Sequence, residues 1–199
     1  MHPTRVVVGL PLVMLLAGAA WAQPPIEPDV AYELMAEPGR WAEVDGKLQK
    51  DGTFLAKEVE IFSVRDSSNM EDVQIYGAVK KLDRRRSSMK VLGYRIFWDG
   101  ETTIKDQNKR RILSSKLKND IGVKVQGYMR ANGTFKATKI KLKEGKVKDG
   151  KVKAKEKLVG PVEVLDARDG WLRILNTDIK VRPDAVFTEV PVEVAEDEG

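Results

Sequence analysis

The chain contains no cysteine, and its one histidine is His2 in a sequence of 199 residues. Because His2 lies in a leader that we expect to be removed, the mature protein would carry neither an imidazole nor a thiol. These absences exclude Ser-His-Asp and Cys-His catalysis, covalent c-type haem attachment and the usual zinc, copper and iron sites. Without disulfides, the fold must be stabilised by strand pairing and core packing.

Long hydrophobic runs are also missing, apart from one at the N-terminus. Arg5 begins a short basic region, residues 6–19 are almost wholly apolar, and Ala20-Trp21-Ala22 has the small-x-small pattern that signal peptidase cuts. The run is shorter than the roughly 20 residues that a permanent membrane span needs. We therefore expect residues 1–22 to be a signal peptide cleaved between Ala22 and Gln23. The mature protein would then be exported, periplasmic or secreted, with no transmembrane span.

Two further motifs are absent, an Asp-x-Asp-x-Asp-Gly calcium loop and a Gly-rich phosphate-binding loop. The Asp-Gly pairs of this chain are better explained as turns. They are Asp51-Gly52, Asp99-Gly100, Asp149-Gly150 and Asp169-Gly170. We therefore expect no metal and no cofactor.

An internal repeat is the strongest pattern that is present. At an offset of 81 residues, eight positions of the segment 41–61 recur in the segment 122–142. They are Val44, Gly46, Gly52, Thr53, Phe54, Ala56, Val59 and Ile61, which return as Val125, Gly127, Gly133, Thr134, Phe135, Ala137, Ile140 and Leu142. The alternation of apolar and polar residues about a turn predicts a β-hairpin in each copy, and a change of phase indicates a bulge.

A second pattern repeats at an offset of 83 residues and predicts three further strands in each copy. Its positions are Gly77, Val79, Leu82, Asp83, Met89, Val91, Leu92 and Ile96, which return as Gly160, Val162, Leu165, Asp166, Leu172, Ile174, Leu175 and Ile179. A short helical stretch is expected over 113–118, with Ser114 or Ser115 as its cap, and its counterpart over 31–37. This order of elements, three strands followed by a helical turn and a hairpin, is that of an OB-like five-stranded barrel. The predicted fold is therefore all-β, with two small OB-like barrels and short helical turns between the third and fourth strands.

The motifs of the central region resemble a bacterial exported domain family of unknown function. They are Gly-x-Val-x-x-Leu-Asp at 77–83, Val-Leu-Gly-x-x-Ile at 91–96, Val-Lys-Val-Gln-Gly at 123–127 and Gly-Thr-Phe-x-Ala-x-x-Ile at 133–140. The resemblance covers about 73–143, with the remaining core as half-copies. It implies OB-fold-like repeats, often in tandem behind a signal peptide. Because the motifs consist of glycines and core positions, it implies no catalytic residues.

The repeat allows two divisions into domains. If the family's order holds, residues 73–143 form a central barrel, and 31–62 pairs with 158–190 to form a second, discontinuous one. If the units run in sequence, the domains are 31–118 and 119–190. Residues 63–72 and 144–157 have linker composition, which favours the first division, although 146–153 could form a hairpin about Asp149-Gly150. Residues 191–199 are expected to be an acidic tail.

The distribution of charge follows the first of these two divisions. Residues 73–157 hold 25 Lys and Arg against 8 Asp and Glu, whereas the rest of the mature chain holds 9 against 22. Part of the basic density, such as the lysines of 136–143, fits solvated strand surface and the protection of a sheet edge. The other interpretation is a basic groove for an anionic ligand, since OB-like barrels bind polyanions by cations and aromatic stacking.

The candidate ligand-binding residues of that groove combine two groups of cations with two aromatics. They are Lys80, Lys81, Arg84, Arg85, Arg86, Lys109, Arg110, Arg111, Tyr94 and Trp98. The alternative is that the aromatics fill the barrel and the arginines solvate a loop. Because an exported location makes nucleic acid a poor partner, an anionic envelope component or an acidic protein surface fits better. The chain's own acidic half is a further candidate partner, within one molecule or between molecules.

Non-enzymatic binding or scaffolding in the bacterial cell envelope is the function that these patterns favour. The alternative is a carboxylate-dependent hydrolase of envelope saccharides, because such chemistry needs only two carboxylates across a cleft. Asp83 and Asp166 are the repeated acids, but each follows a strand, where an Asp commonly stabilises a turn.

Overall fold

A computed structural model describes residues 24–63, 72–143, 146–148 and 151–190. The predicted signal peptide, most of the predicted linker 63–72, and the acidic tail 191–199 lie outside the described residues. Within the described ranges, no helix is long and apolar enough to cross a membrane.

The outer unit is a closed five-stranded barrel preceded by a helix. Its strands are joined in the order β12-β13-β14-β2-β1, and β1 pairs with β12 to close the ring. All these pairings are antiparallel except β14 with β2. The elements are α1 (Pro28–Ala36), β1 (Trp41–Leu48), β2 (Phe54–Ile61), β12 (Lys157–Asp166), β13 (Trp171–Ile174) and β14 (Thr177–Glu189). The predicted all-β class and one closed barrel are thus confirmed.

The central unit repeats this strand order with its first and third strands divided. Its strands are joined in the order β3-β8-β9-β6-β5-β4, with β7 also paired to β9. One residue, Val79, separates β3 from β4. Its N–H donates to the Ile121 carbonyl, and its carbonyl accepts the N–H of Asp120. The elements are β3 (Val73–Ala78), β4 (Lys80–Asp83), β5 (Ser88–Val91), β6 (Tyr94–Phe97), β7 (Thr103–Lys105), the 3-10 helix η1 (Ser114–Lys116), β8 (Gly122–Met129) and β9 (Phe135–Lys143). The second barrel itself stays a prediction.

Each unit contains the hairpin that the repeat predicts, including its bulge. The register shifts between Asp45 and Gly46 in β1 and between Gln126 and Gly127 in β8, which are equivalent positions. A Cβ would lie 2.2 Å from the Leu55 carbonyl oxygen at Gly46, and 1.9 Å from that of Lys136 at Gly127. Glycine recurs at these positions because no side chain fits there.

The predicted helical turns are present in both units. Helix α1 begins at Pro28, whose fixed φ suits the first turn, and its buried face packs against β2, β12 and β14. Tyr32 of that face meets Phe187 edge to face at 5.5 Å between ring centroids. The expected Ser cap of η1 is wrong: Leu113 is the N-cap residue, and no side chain caps this helix. A three-residue 3-10 turn leaves few N–H groups to satisfy, so a cap contributes little.

The linker before β12 contains the hairpin considered in the sequence. Strands β10 (Lys146–Lys148) and β11 (Lys151–Lys153) pair antiparallel, with Val147 opposite Val152.

The two units join through equivalent residues. Strands β3 and β12 pair antiparallel, with Ile75 opposite Leu158, its own counterpart at offset 83. The Tyr94 and Thr177 hydroxyls, also counterparts at that offset, are hydrogen-bonded at 2.5 Å. An approximate twofold axis therefore relates the units, and their strands form one continuous 12-stranded sheet.

Candidate functional site

Several of the cations predicted from the sequence have acceptors within the protein. Lys80 forms an ion pair with Asp120, and Arg110 Nε lies 2.9 Å from Asp106 Oδ2. The guanidinium of Arg86 lies 3.8 Å from the Asp83 carboxylate, and that of Arg84 donates to the Leu117 carbonyl at 2.7 Å. Four of the eight predicted cations therefore have partners within the protein. The other four are exposed; they are Lys81, Arg85, Lys109 and Arg111.

The two predicted aromatics lie in different places. Trp98 is buried and lines a depression of about 370 Å³ that Arg111 also lines. Tyr94 lines another depression at the junction of the two units, and burial raises the pKa of its hydroxyl. The structure therefore brings Trp98 and Arg111 together but separates Tyr94 from them. A ligand-binding role for this set stays a prediction.

Among the described side chains, a further group of lysines without ion-pair partners lies elsewhere, on the sheet of the central unit. Lys141 on β9 is directly opposite Lys105 on β7 and Lys124 on β8. Lys139 and Lys143 flank Lys141 at alternate positions of β9 and share its side of the sheet. We call these five residues the lysine face; they are Lys105, Lys124, Lys139, Lys141 and Lys143.

Burial and electrostatic repulsion within the lysine face both act on Lys124. Partial burial, followed by the charges of Lys143, Lys139 and Lys141, lowers the pKa of Lys124 below its usual range. Its ammonium lies 5.2 Å from the ring centroid of Tyr76 on β3, and that of Lys143 lies 5.9 Å away. Within the described ranges, no carboxylate forms an ion pair with any of the five. A cation over an aromatic ring is only partly compensated, so the lysine face is an excess of positive charge.

The corresponding surface of the outer barrel is acidic. Glu43, Asp45, Glu58 and Glu60, which we call the acidic face, line a depression of about 240 Å³ together with Lys157. At the offset of 81 residues, Glu43 corresponds to Lys124, Glu58 to Lys139 and Glu60 to Lys141. The units thus carry opposite charge at three equivalent positions.

Asp45 is the buried member of the acidic face, and three lysines from two distant parts of the chain surround it. Lys57 lies 3.3 Å from Oδ1, while Lys155 and Lys157 lie 2.9 and 3.9 Å from Oδ2. The Oδ2 atom has no well-aligned hydrogen bond from any described group. Lys157 also forms an ion pair with Glu43, and burial lowers the pKa of Lys157. These ion pairs stabilise the packing of the linker and β12 against the β1–β2 hairpin.

Both faces lie on the same side of the continuous sheet. One row of paired residues crosses it from β7 to β14, each residue directly opposite the next. The row runs Lys105, Lys141, Lys124, Tyr76, Lys157, Asp45, Glu58, Val186. The positive and negative halves meet at Tyr76 and Lys157, where β3 pairs with β12.

The repeated acids that the hydrolase alternative named have structural contacts in both units. Asp83 accepts the backbone N–H of Arg86, and Asp166 accepts those of Arg168 and Asp169. Side-chain acceptors of this kind stabilise turns. The carboxylates of the acidic face do line a depression, but three of the four are ion-paired to lysines. The hydrolase alternative stays a prediction. Among the described residues, no cluster of three or more acidic side chains is placed to hold a metal ion.

Sequence reasoning missed the lysine face because it interpreted the lysines of 136–143 as solvated strand surface and protection of a sheet edge. Strand β9 is not an edge, since it pairs with β8 on one side and with β6 and β7 on the other. Lys136 is buried and ion-paired with Asp99 rather than solvated. The alternation of lysines was the available signal, but only the pairing of β9 with distant strands shows that they join Lys105 and Lys124.

Comparison with known proteins places the chain in a family without supplying an activity. No curated protein and no solved structure matches it. A family model matches residues 27–60 and 76–141, which span α1, the β1–β2 hairpin and most of the central unit. The chain therefore belongs to the family described as a domain of unknown function, DUF5666.

Proposed function

We propose that the protein is an exported, non-enzymatic binding module that captures an anionic component of the bacterial cell envelope on its lysine face. The observation that carries this proposal is the group of five lysines that share one side of the sheet without a carboxylate partner among the described residues. Like charges directly opposite one another on a sheet are destabilising. A bound anion would relieve this repulsion. The arrangement is therefore better suited to binding an anion than to stabilising the unbound protein.

The spacing of the lysines favours an extended anion over a small one. Neighbouring strands lie about 4.8 Å apart, and alternate residues of a strand about 6.7 Å apart. Lys105, Lys141 and Lys124 therefore extend across three strands, while Lys139 and Lys143 extend the group along β9. A polymer or surface that presents repeated phosphate or carboxylate groups can contact most of them together.

Binding of the mature protein to vesicles with and without anionic lipid, and to an acidic polysaccharide, tests the proposal. We expect binding at low salt that weakens strongly at about 0.15 M salt, because exposed charges are screened there. Removal of two lysines in Lys139→Gln/Lys141→Gln should weaken binding about thirtyfold, at about 1 kcal/mol for each cation near an anionic surface.

The matched control removes two positive charges from the predicted arginine group, in Arg85→Gln/Arg86→Gln. It has the same net charge as the lysine variant, and we expect it to bind nearly as well as the wild type. If the control loses as much affinity as the lysine variant, net charge alone governs binding. If it loses more, the arginine turn is the site. Either result contradicts the proposal.

A further inference from the structure

We infer that a second copy of this chain docks on the same side of the sheet, with the lysine face of each copy on the acidic face of the other. The exchange of charge between the two units is the basis of this contact, which does not require the envelope ligand proposed above. An envelope ligand would compete with the second copy for the lysine face.

The charge exchange is tied to equivalent places in the fold. Glu58 and Glu60 lie on β2, and their counterparts Lys139 and Lys141 lie on β9, the second strand of the corresponding hairpin. Glu43 on β1 likewise corresponds to Lys124 on β8. Surfaces of similar backbone shape therefore carry opposite charge, which is the complementarity that a pair of copies needs.

A single chain cannot bring its own two faces together. They lie side by side on one continuous sheet, joined by the pairing of Ile75 with Leu158 and bridged by Tyr76 and Lys157. Opposite charges on adjacent parts of one surface can meet face to face only across two molecules.

Twofold symmetry makes the arrangement closed. A twofold axis near the β3–β12 junction exchanges left and right between the two copies. Each lysine face then lies on the partner's acidic face, and both contacts form at once. Such an interface is isologous and closes as a dimer rather than growing into a fibre.

The charged residues that would meet across this contact are accessible. The side chains of Glu58, Glu60 and Lys139 are exposed, so they are accessible to a partner.

Sedimentation velocity on the mature protein and on two charge-reversed variants tests the inference. The first variant is Glu58→Lys/Glu60→Lys, and the second is Lys139→Glu/Lys141→Glu. We expect the wild type to form a dimer at low salt that dissociates as salt is raised. Each variant alone should be monomeric, because like charges would meet in both contacts. An equimolar mixture of the two should form a heterodimer, because opposite charges again meet in both contacts.

The control is Arg85→Glu/Arg86→Glu, which changes the net charge by the same amount as the second variant and should dimerise like the wild type. A monomeric wild type at every concentration and salt level overturns the inference. So does a mixture that stays monomeric while both variants keep the wild-type circular dichroism spectrum. Loss of dimerisation by the control also overturns it. Vesicle binding by a monomeric wild type would leave the proposed envelope ligand standing, so the two ideas fail separately.

Discussion

Lys124 illustrates at the residue scale how a group of like charges opposes stability. Its ammonium is partly buried among Lys139, Lys141 and Lys143, and its pKa is lowered for that reason. We predict that Lys124→Gln stabilises the protein by about 0.2–1 kcal/mol, the usual size of cross-strand pair effects, because like charges directly opposite one another are destabilising. The variant should melt up to about 4 °C higher at low salt, measured by circular dichroism. Lys118→Gln, which removes an exposed charge from a loop, should leave the midpoint nearly unchanged.

The pH dependence of that difference follows from the direction of the pKa shift. A lysine whose pKa is lowered in the folded state is penalised when charged, and the penalty is complete below the folded pKa. As the pH rises toward the ordinary lysine value of 10.5, folding is increasingly favoured because Lys124 loses its proton more readily in the folded state. The advantage of Lys124→Gln over the wild type should therefore shrink at alkaline pH and also at high salt. An advantage that grows with pH would show that repulsion is not the cause.

At the scale of elements, Asp45 joins the β1–β2 hairpin to a segment that is far away in sequence. Its carboxylate is surrounded by Lys57 of β2, Lys155 of the linker and Lys157 of β12. We predict that Asp45→Asn destabilises the protein by about 1–3 kcal/mol, because the half-buried Lys157 loses part of its compensation. Urea denaturation should show a lower midpoint with little change in slope.

The matched control for Asp45 is Glu58→Gln. Glu58 contacts Lys57 as well, but both side chains are exposed, so the change should stay within about 0.5 kcal/mol. Equal effects of the two substitutions would indicate that Asp45 contributes only as one more surface charge.

The sequence predicted those elements whose signals are local. Gly46 and Gly127 mark two hairpins with matching bulges, because a close backbone approach requires glycine whatever the rest of the fold does. The lysine face was not predictable in this way, since Lys105, Lys124 and Lys141 become neighbours only through the register of three strands. Consecutive cations such as Arg84–Arg86 are easily recognised in a sequence as a candidate site. Two of these three already have acceptors in the fold.

For the whole molecule, the order of the strands in the chain makes the two units unequal. The central unit comes from one continuous stretch, 73–143, whereas the closed outer barrel combines strands that precede and follow it. If the central unit unfolds, it becomes a long flexible loop between the two parts of the outer barrel. A loop of about a hundred residues costs about 4 kcal/mol. The outer barrel should therefore depend on the central unit, while the reverse dependence should be weaker.

Equivalent glycine substitutions in the two units separate these dependencies. Gly46→Ala and Gly127→Ala each force a Cβ against a backbone carbonyl and should cost about 1–3 kcal/mol or more. Gly100→Ala is the control, since no atom lies within 4 Å of its added Cβ. In differential scanning calorimetry, we expect Gly127→Ala to lower one shared transition. Gly46→Ala should produce two transitions, because the outer barrel melts first and leaves the central unit folded. Trp98 fluorescence, recorded with Trp41 and Trp171 replaced by Phe, should follow only the upper of those two transitions.

Two transitions in Gly127→Ala and one in Gly46→Ala would mean that the outer barrel stabilises the central unit. The pairing of β3 with β12 would then contribute more to stability than chain continuity does.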